Sequence, residues 1–165
     1  MKRVVFLIIP FILLSCAQRK VNTTEIVRPA FSGDTAYRFV EHQVRYGARV
    51  PGSNAHKNCM FFLINMLRNY GAEVEIQQGT LPNFAGEDQI IYNVIGHFGS
   101  LSASNRLLLA AHYDSRPWCD EEVDYDDRQI PLPGANDGAS GVGVLLEVAR
   151  QISKDSVLSS FLNDN

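Results

Sequence analysis

The chain is poor in cysteine, in tryptophan and in clustered positive charge. Its 165 residues include three cysteines and one tryptophan. Cys16, Cys59 and Cys119 form no Cys-x-x-Cys pair and share no zinc-finger spacing with the histidines, so a structural zinc site is not indicated. No Lys/Arg cluster interleaves with aromatics and the formal net charge is −3, which rejects nucleic acid as a partner. The apolar run Val4 to Leu14 is too short to span a bilayer as a helix. Internal repeats are absent, and the only biased segment is the acidic Asp120 to Asp127. What remains is an ordinary globular composition, 45% hydrophobic and 20% charged, with enough length for one core and one domain.

Residues 1–16 read as a targeting signal. Lys2 and Arg3 make a positive start, the apolar run follows, and Leu13-Leu14-Ser15-Cys16 resembles the lipobox of bacterial lipoproteins, in which the cysteine carries the lipid. Removing the signal makes the chain more acidic by two charges. The expectation is an exported, lipid-anchored protein of the cell envelope, held to the membrane through Cys16. Residues 17–31 are polar and aperiodic, as a tether would be.

Residues 32–153 carry the expected domain. Ser32 or Asp34 caps a helix that puts Ala36, Phe39, Val40, Gln43 and Val44 on one face and stops at Gly47. Ser53 caps a stronger helix with Cys59, Phe62, Leu63, Met66, Leu67 and Tyr70 in register, ended by Gly71. Cys59 is expected as a buried thiol, and a bond to Cys119 is left open. His56, His42 and His97 are expected in solvent, because no second ligand type stands three or four residues away. Val74 to Gln77 and Ile90 to Gly96 read as strands. Arg106 to Ala111, unbroken in its apolar character, reads as a third strand, central and covered on both faces, joined to the second by a hairpin over Ser100 to Asn105. A last helix opens near Gly138 or Ser140 and buries Val142, Leu145, Leu146, Ala149 and Ile152. Residues 154–165 read as a polar tail.

The chemistry concentrates between Leu107 and Val144. His112 and Asp114, two apart on an extended segment, point the same way. The imidazole of His112 suits a metal while Asp114 orients its other nitrogen. Asp137 sits between a small-residue turn and a helix start, where Ala135, Gly138 and Ala139 leave room for its carboxylate to bind one metal or bridge two. Either motif alone has a blander explanation, a strand-end histidine or an acid favoured by the helix dipole.

From Arg49 to Ile152 the chain resembles the zinc exopeptidase family of bacterial leucyl aminopeptidases and glutaminyl-peptide cyclotransferases. The residues that carry this are Arg49-Val50-Pro51-Gly52-Ser53 with Ala55-His56, Tyr70-Gly71-Ala72-Glu73-Val74, Asn93-Val94-Ile95-Gly96, Ala111-His112-Tyr113-Asp114-Ser115-Arg116-Pro117 and Gly134-Ala135-Asn136-Asp137-Gly138-Ala139-Ser140-Gly141-Val142. The Ser-Arg-Pro-Trp extension to Trp118 and the acidic insertion after it resemble the cyclotransferases of bacterial lipoprotein type. The resemblance implies a three-layer α/β/α sandwich with a mixed central sheet. It implies zinc, one ion in a cyclotransferase and two in an aminopeptidase, with Asp137 and His112 as metal-binding residues and Asp114 behind His112. In cyclotransferases the His112 and Asp114 pair is implied to be kept without direct ligation. The implied substrates are peptides with a free N-terminus, N-terminal Gln above all, closed to pyroglutamate with loss of ammonia. After Lys154 the family pattern stops: its downstream Glu ligand, its general acid/base carboxylates and its last His ligand have no counterpart. The expectation is therefore a C-terminally truncated domain, inactive as it stands. The other readings are an aminopeptidase of the same family and a non-catalytic surface lipoprotein.

Overall fold

The structure, a computed structural model, describes residues 29–164. The expected signal with Cys16, and most of the expected tether, lie outside the described residues. Helix α1 spans Gly33–Val44, and the Ser32 side chain accepts the Thr35 amide at its start. Helix α2 spans Asn54–Asn69 and is capped in the same way by Ser53, which accepts from the His56 amide. Strands β1, Glu73–Pro82, and β2, Asp88–His97, pair antiparallel in the register Val74 to Gly96 and Ile76 to Val94. Helix α3 spans Ser140–Lys154, and α4 spans Ser156–Asp164.

The core lies between α2 and α3. Cys59, Met60, Leu63 and Ile64 meet Val142, Leu146 and Tyr113, with Val74 and Val94 of the hairpin packed against the cluster. Full burial of such side chains is worth about 1.5–3 kcal/mol each. Both helix faces follow the sequence spacing, although Met60 and Ile64 are buried where Phe62 and Leu67 are only partly so. Helix α1 closes tightly on α3, because Gly143 faces the Ala36 carbonyl: a Cβ there would stand 2.7 Å from that oxygen. Two polar ties hold this contact. Gln43 donates to the Ala139 carbonyl at 3.0 Å, and Glu147 accepts the Ser32 amide at 3.0 Å while pairing with Arg150.

Two expectations need correction, the third strand and its hairpin. Arg106 to Ala111 is not a strand: among the described residues the sheet has two strands, β1 and β2, and Leu107 and Leu108 are 86% and 81% exposed. An apolar run specifies a wish for neighbours, and a ladder forms only where a paired strand supplies its carbonyls and amides. The hairpin accordingly joins β1 to β2 through the Asn83 turn, where the Asn83 carboxamide oxygen accepts the Ala85 and Glu87 amides, and does not form over Ser100 to Asn105. A mixed helix and strand fold with this small open sheet is present, whereas a three-layer sandwich is not seen among the described residues. Within the expected polar tail lies helix α4, started by Asp155 accepting from the Val157 and Leu158 amides. Cys59 is buried and Cys119 half-buried, and both are free thiols.

Candidate metal site beside an aromatic cleft

The His112 segment and the Asp137 turn come together in the structure. His112 Nε2 lies 3.1 Å from Asp137 Oδ1, and His112 Nδ1 lies 3.4 Å from Asp114 Oδ1. One ring therefore has Asp137 on one nitrogen and Asp114 on the other. All three side chains are open to solvent, so the group faces outward from the core edge.

The local backbone explains the approach. Between Gly134 and α3 the chain makes a kinked turn in which Asp137 is extended, with φ −81° and ψ 100°, and Gly138 takes φ +96°. A Cβ on Gly138 would stand 2.7 Å from the Asp114 carbonyl and 3.2 Å from the His112 ring. Glycine is required there for both reasons, conformation and clearance. The hydroxyl of Ser140 donates to the Asn136 carbonyl at 2.6 Å and fastens the end of the turn.

Behind the site stands a buried residue whose role the sequence did not reveal. Arg49 is fully buried, and its guanidinium donates to the carbonyls of Tyr113, Pro133 and Gly134, each at 2.7 Å. Its own carbonyl accepts the Ser115 amide at 3.2 Å. Burial pushes the guanidinium below its usual range, and Asp114 acts in the other direction. Arg49 was legible only as part of a motif, since nothing local marks an arginine before Val-Pro-Gly as internal.

His56 also departs from expectation. It is 3% exposed and its ring stacks on Tyr113 at 4.6 Å with an angle of 7°. Burial lowers its pKa, opposed by Asp114. Tyr113 stands between His112 and Asp114 in sequence but points the other way, into the core, where burial raises its phenol. His42 is exposed as expected and stacks on Phe62, whereas His97 is half-buried against Glu75 and Arg106.

A cleft of about 530 Å³ opens beside the pair, lined by Val50, Pro51, Phe84, Trp118, His112 and Asp137 among others. Phe84 from the hairpin turn meets Trp118 edge to face at 4.2 Å. Arg116 spans the acidic insertion and the site, pairing with Asp120 at 2.9 Å and standing 3.8 Å from Asp137. Planar apolar walls with two carboxylates and an imidazole at one end suit a ligand with a small apolar body and a polar head.

The donor chemistry fits zinc in part. A nitrogen and an oxygen on one tetrahedral zinc, each about 2.0–2.1 Å away, stand about 3.3 Å apart. The 3.1 Å between His112 and Asp137 is compatible with that. Among the described residues no group of three or more His, Cys, Asp or Glu side chains could hold a metal.

The fold is similar to part of several solved zinc-dependent exopeptidase and bacterial glutaminyl cyclase structures. Residues 93–160 match the model of peptidase family M28. A zinc-dependent exopeptidase from Parabacteroides distasonis is similar at 44% identity with a TM-score of 0.75. Glutaminyl cyclases from Tannerella forsythia and Bacteroides thetaiotaomicron, the latter bound to N-acetylhistamine, follow at 43% and 40% identity, each with a TM-score of 0.74. Each similarity covers 78% of this chain and 44% of the other, so the chain spans less than half the length of these structures. No curated protein matches it.

Proposed function

We propose that the chain carries part of the site of a zinc-dependent glutaminyl-peptide cyclotransferase, within what in its entirety is a three-layer α/β/α sandwich. The carrying observation is the His112 to Asp137 approach at 3.1 Å at the head of a cleft walled by Trp118 and Phe84. Asp137 and His112 would hold the metal, with Asp114 fixing the ring. A bound zinc supplies Lewis acidity toward a carboxamide oxygen. The chain's own part is to seat an N-terminal Gln side chain against Trp118, exclude water from it, and keep the His112 ring aligned through Asp114. Ring closure, in which the α-amine attacks and ammonia leaves, also needs a carboxylate to move the proton. No described residue is assigned that task, so this chain alone is proposed to be inactive. Export and anchoring through a lipid on Cys16 belong to the same proposal, motivated by the lipobox-like Leu13-Leu14-Ser15-Cys16. A zinc aminopeptidase is the second reading, favoured by the similarity to the Parabacteroides exopeptidase.

The test is zinc stoichiometry on the purified chain, with ammonia release from N-terminal Gln peptides and hydrolysis of aminoacyl amides followed on the same sample. The expectation is weak zinc binding that disappears in Asp137→Asn and His112→Ala, with N-acetylhistamine binding only when zinc is present and with neither turnover. Tight stoichiometric zinc with aminoacyl hydrolysis would transfer the assignment to the aminopeptidase. Zinc binding indifferent to both substitutions would remove the site and leave a non-catalytic protein.

A further inference from the structure

We infer that Arg49 is a positioning residue that holds the two halves of the zinc site in register. This inference rests on the reading of His112 and Asp137 as metal ligands. The two ligands lie on different segments, the extended run that ends at Ser115 and the kinked turn that begins at Gly134, and neither segment belongs to a sheet or helix at the point of contact. Ladder hydrogen bonds that would fix a strand are therefore missing at His112. One guanidinium reaches both segments, beside a backbone tie farther along in which the Leu132 amide donates to the Arg116 carbonyl at 3.1 Å.

Three of its donors are spent on carbonyls at 2.7 Å: Nε on Tyr113, Nη1 on Pro133 and Nη2 on Gly134. Tyr113 is the residue between His112 and Asp114. Gly134 opens the turn that carries Asp137. The planar fork thus joins one segment through one edge and the other through its remaining nitrogens, a geometry that lysine's single ammonium does not reproduce. The Arg49 backbone adds a fourth tie by accepting from the Ser115 amide. Space is arranged to match, since a Cβ on Gly134 would stand 2.9 Å from Nη2 and 2.7 Å from the Ser115 Cβ.

The chemistry of the partners separates this from an ordinary buried ion pair. Guanidinium commonly goes inside with a carboxylate, whereas here the charge is surrounded by backbone carbonyls. Asp114 stands close enough to favour the charged form without bonding to it. A cation held this way locks main-chain positions and leaves both neighbouring carboxylates free for other work. The loss of such an outer support usually weakens metal binding 10- to 100-fold.

The experiment uses the full chain and the conservative variant Arg49→Lys, read by zinc titration and by amide hydrogen exchange. The variant is expected to bind zinc about 10- to 100-fold more weakly. Its Ser115 and Ala139 amides should exchange about tenfold faster while Leu63, inside α2, stays as in the wild type. Equal zinc affinity, or exchange that rises evenly over the molecule, overturns the role, the latter because it signals general destabilisation. If neither protein holds zinc, the metal reading fails, and the exchange pattern alone decides whether the two segments are clamped. Should the variant not fold, the wild-type Arg49 Nε–H serves: protection that increases on adding zinc supports the coupling, because linkage is reciprocal, and protection indifferent to zinc overturns it.

Discussion

At the scale of single residues, the site depends on what is missing from a side chain as much as on what is present. Gly138 lets the Asp137 turn pass beneath the His112 ring, at φ +96° and with a backbone oxygen 2.7 Å from where a Cβ would be. Gly86, at φ +80°, has nothing within 4 Å of the same position and isolates the conformational cost. Gly86→Ala is expected to cost about 1 kcal/mol in urea unfolding and Gly138→Ala about 2–3 kcal/mol, with zinc binding lost only in the second. Equal costs would mean that the turn relaxes and that the clearance is not needed. The closeness of His112 and Asp114 was legible in the sequence because side chains two apart on an extended run point the same way, whereas the approach of Asp137 to His112 joins distant segments and no local pattern gives it. His56 was not legible either. Its burial comes from the face of Tyr113, which arrives from a distant segment, and no local pattern announces that stack.

At the scale of elements, α1 is attached to α3 through a buried carboxylate. Glu147 accepts from Arg150 at 2.6 Å, from Gln151 at 2.6 Å and from the Ser32 amide at 3.0 Å, which holds its pKa down at about 2. A carboxyl whose folded pKa is lowered contributes stability that is present above the unfolded value and is lost as pH falls toward the folded one. The window here runs from about pH 4.5 down to about 2. Roughly 2 kcal/mol of stability should vanish across it, and Glu147→Gln should be less stable at pH 7 yet flatter in that window. Urea unfolding at pH 7, 4 and 3 measures this, and an unchanged pH slope in the variant would assign the acid sensitivity elsewhere. The helices themselves were readable from caps and periodicity, Ser32 and Ser53 at the starts and Gly47 and Gly71 after the ends. The segment Arg106 to Ala111 misled because apolar character reports a preference for burial, while strand pairing is a relation between two segments.

At the scale of the molecule, the core is one-sided. The α2 and α3 faces close on each other and on the hairpin, but Leu107 and Leu108 remain open, with Leu109 and Val144 about half exposed as well. Exposed apolar side chains in sequence favour self-association. Leu108→Lys is expected to reduce association, seen as a lower weight-average mass in sedimentation or light scattering, while changing the urea midpoint by no more than about 0.5 kcal/mol allows. A midpoint that falls by much more would show that Leu108 is packed in solution.

Trp118 is the chain's single tryptophan, and it stands at the rim of the cleft with the edge of Phe84 against it. The protein therefore carries one indole, excited apart from its six tyrosines at the red edge of absorption, and that indole lines the cleft. Its emission is a native optical gauge of cleft occupancy, free of background from any second indole, and the spectroscopic record of a titration can be assigned to one place in the molecule without a label.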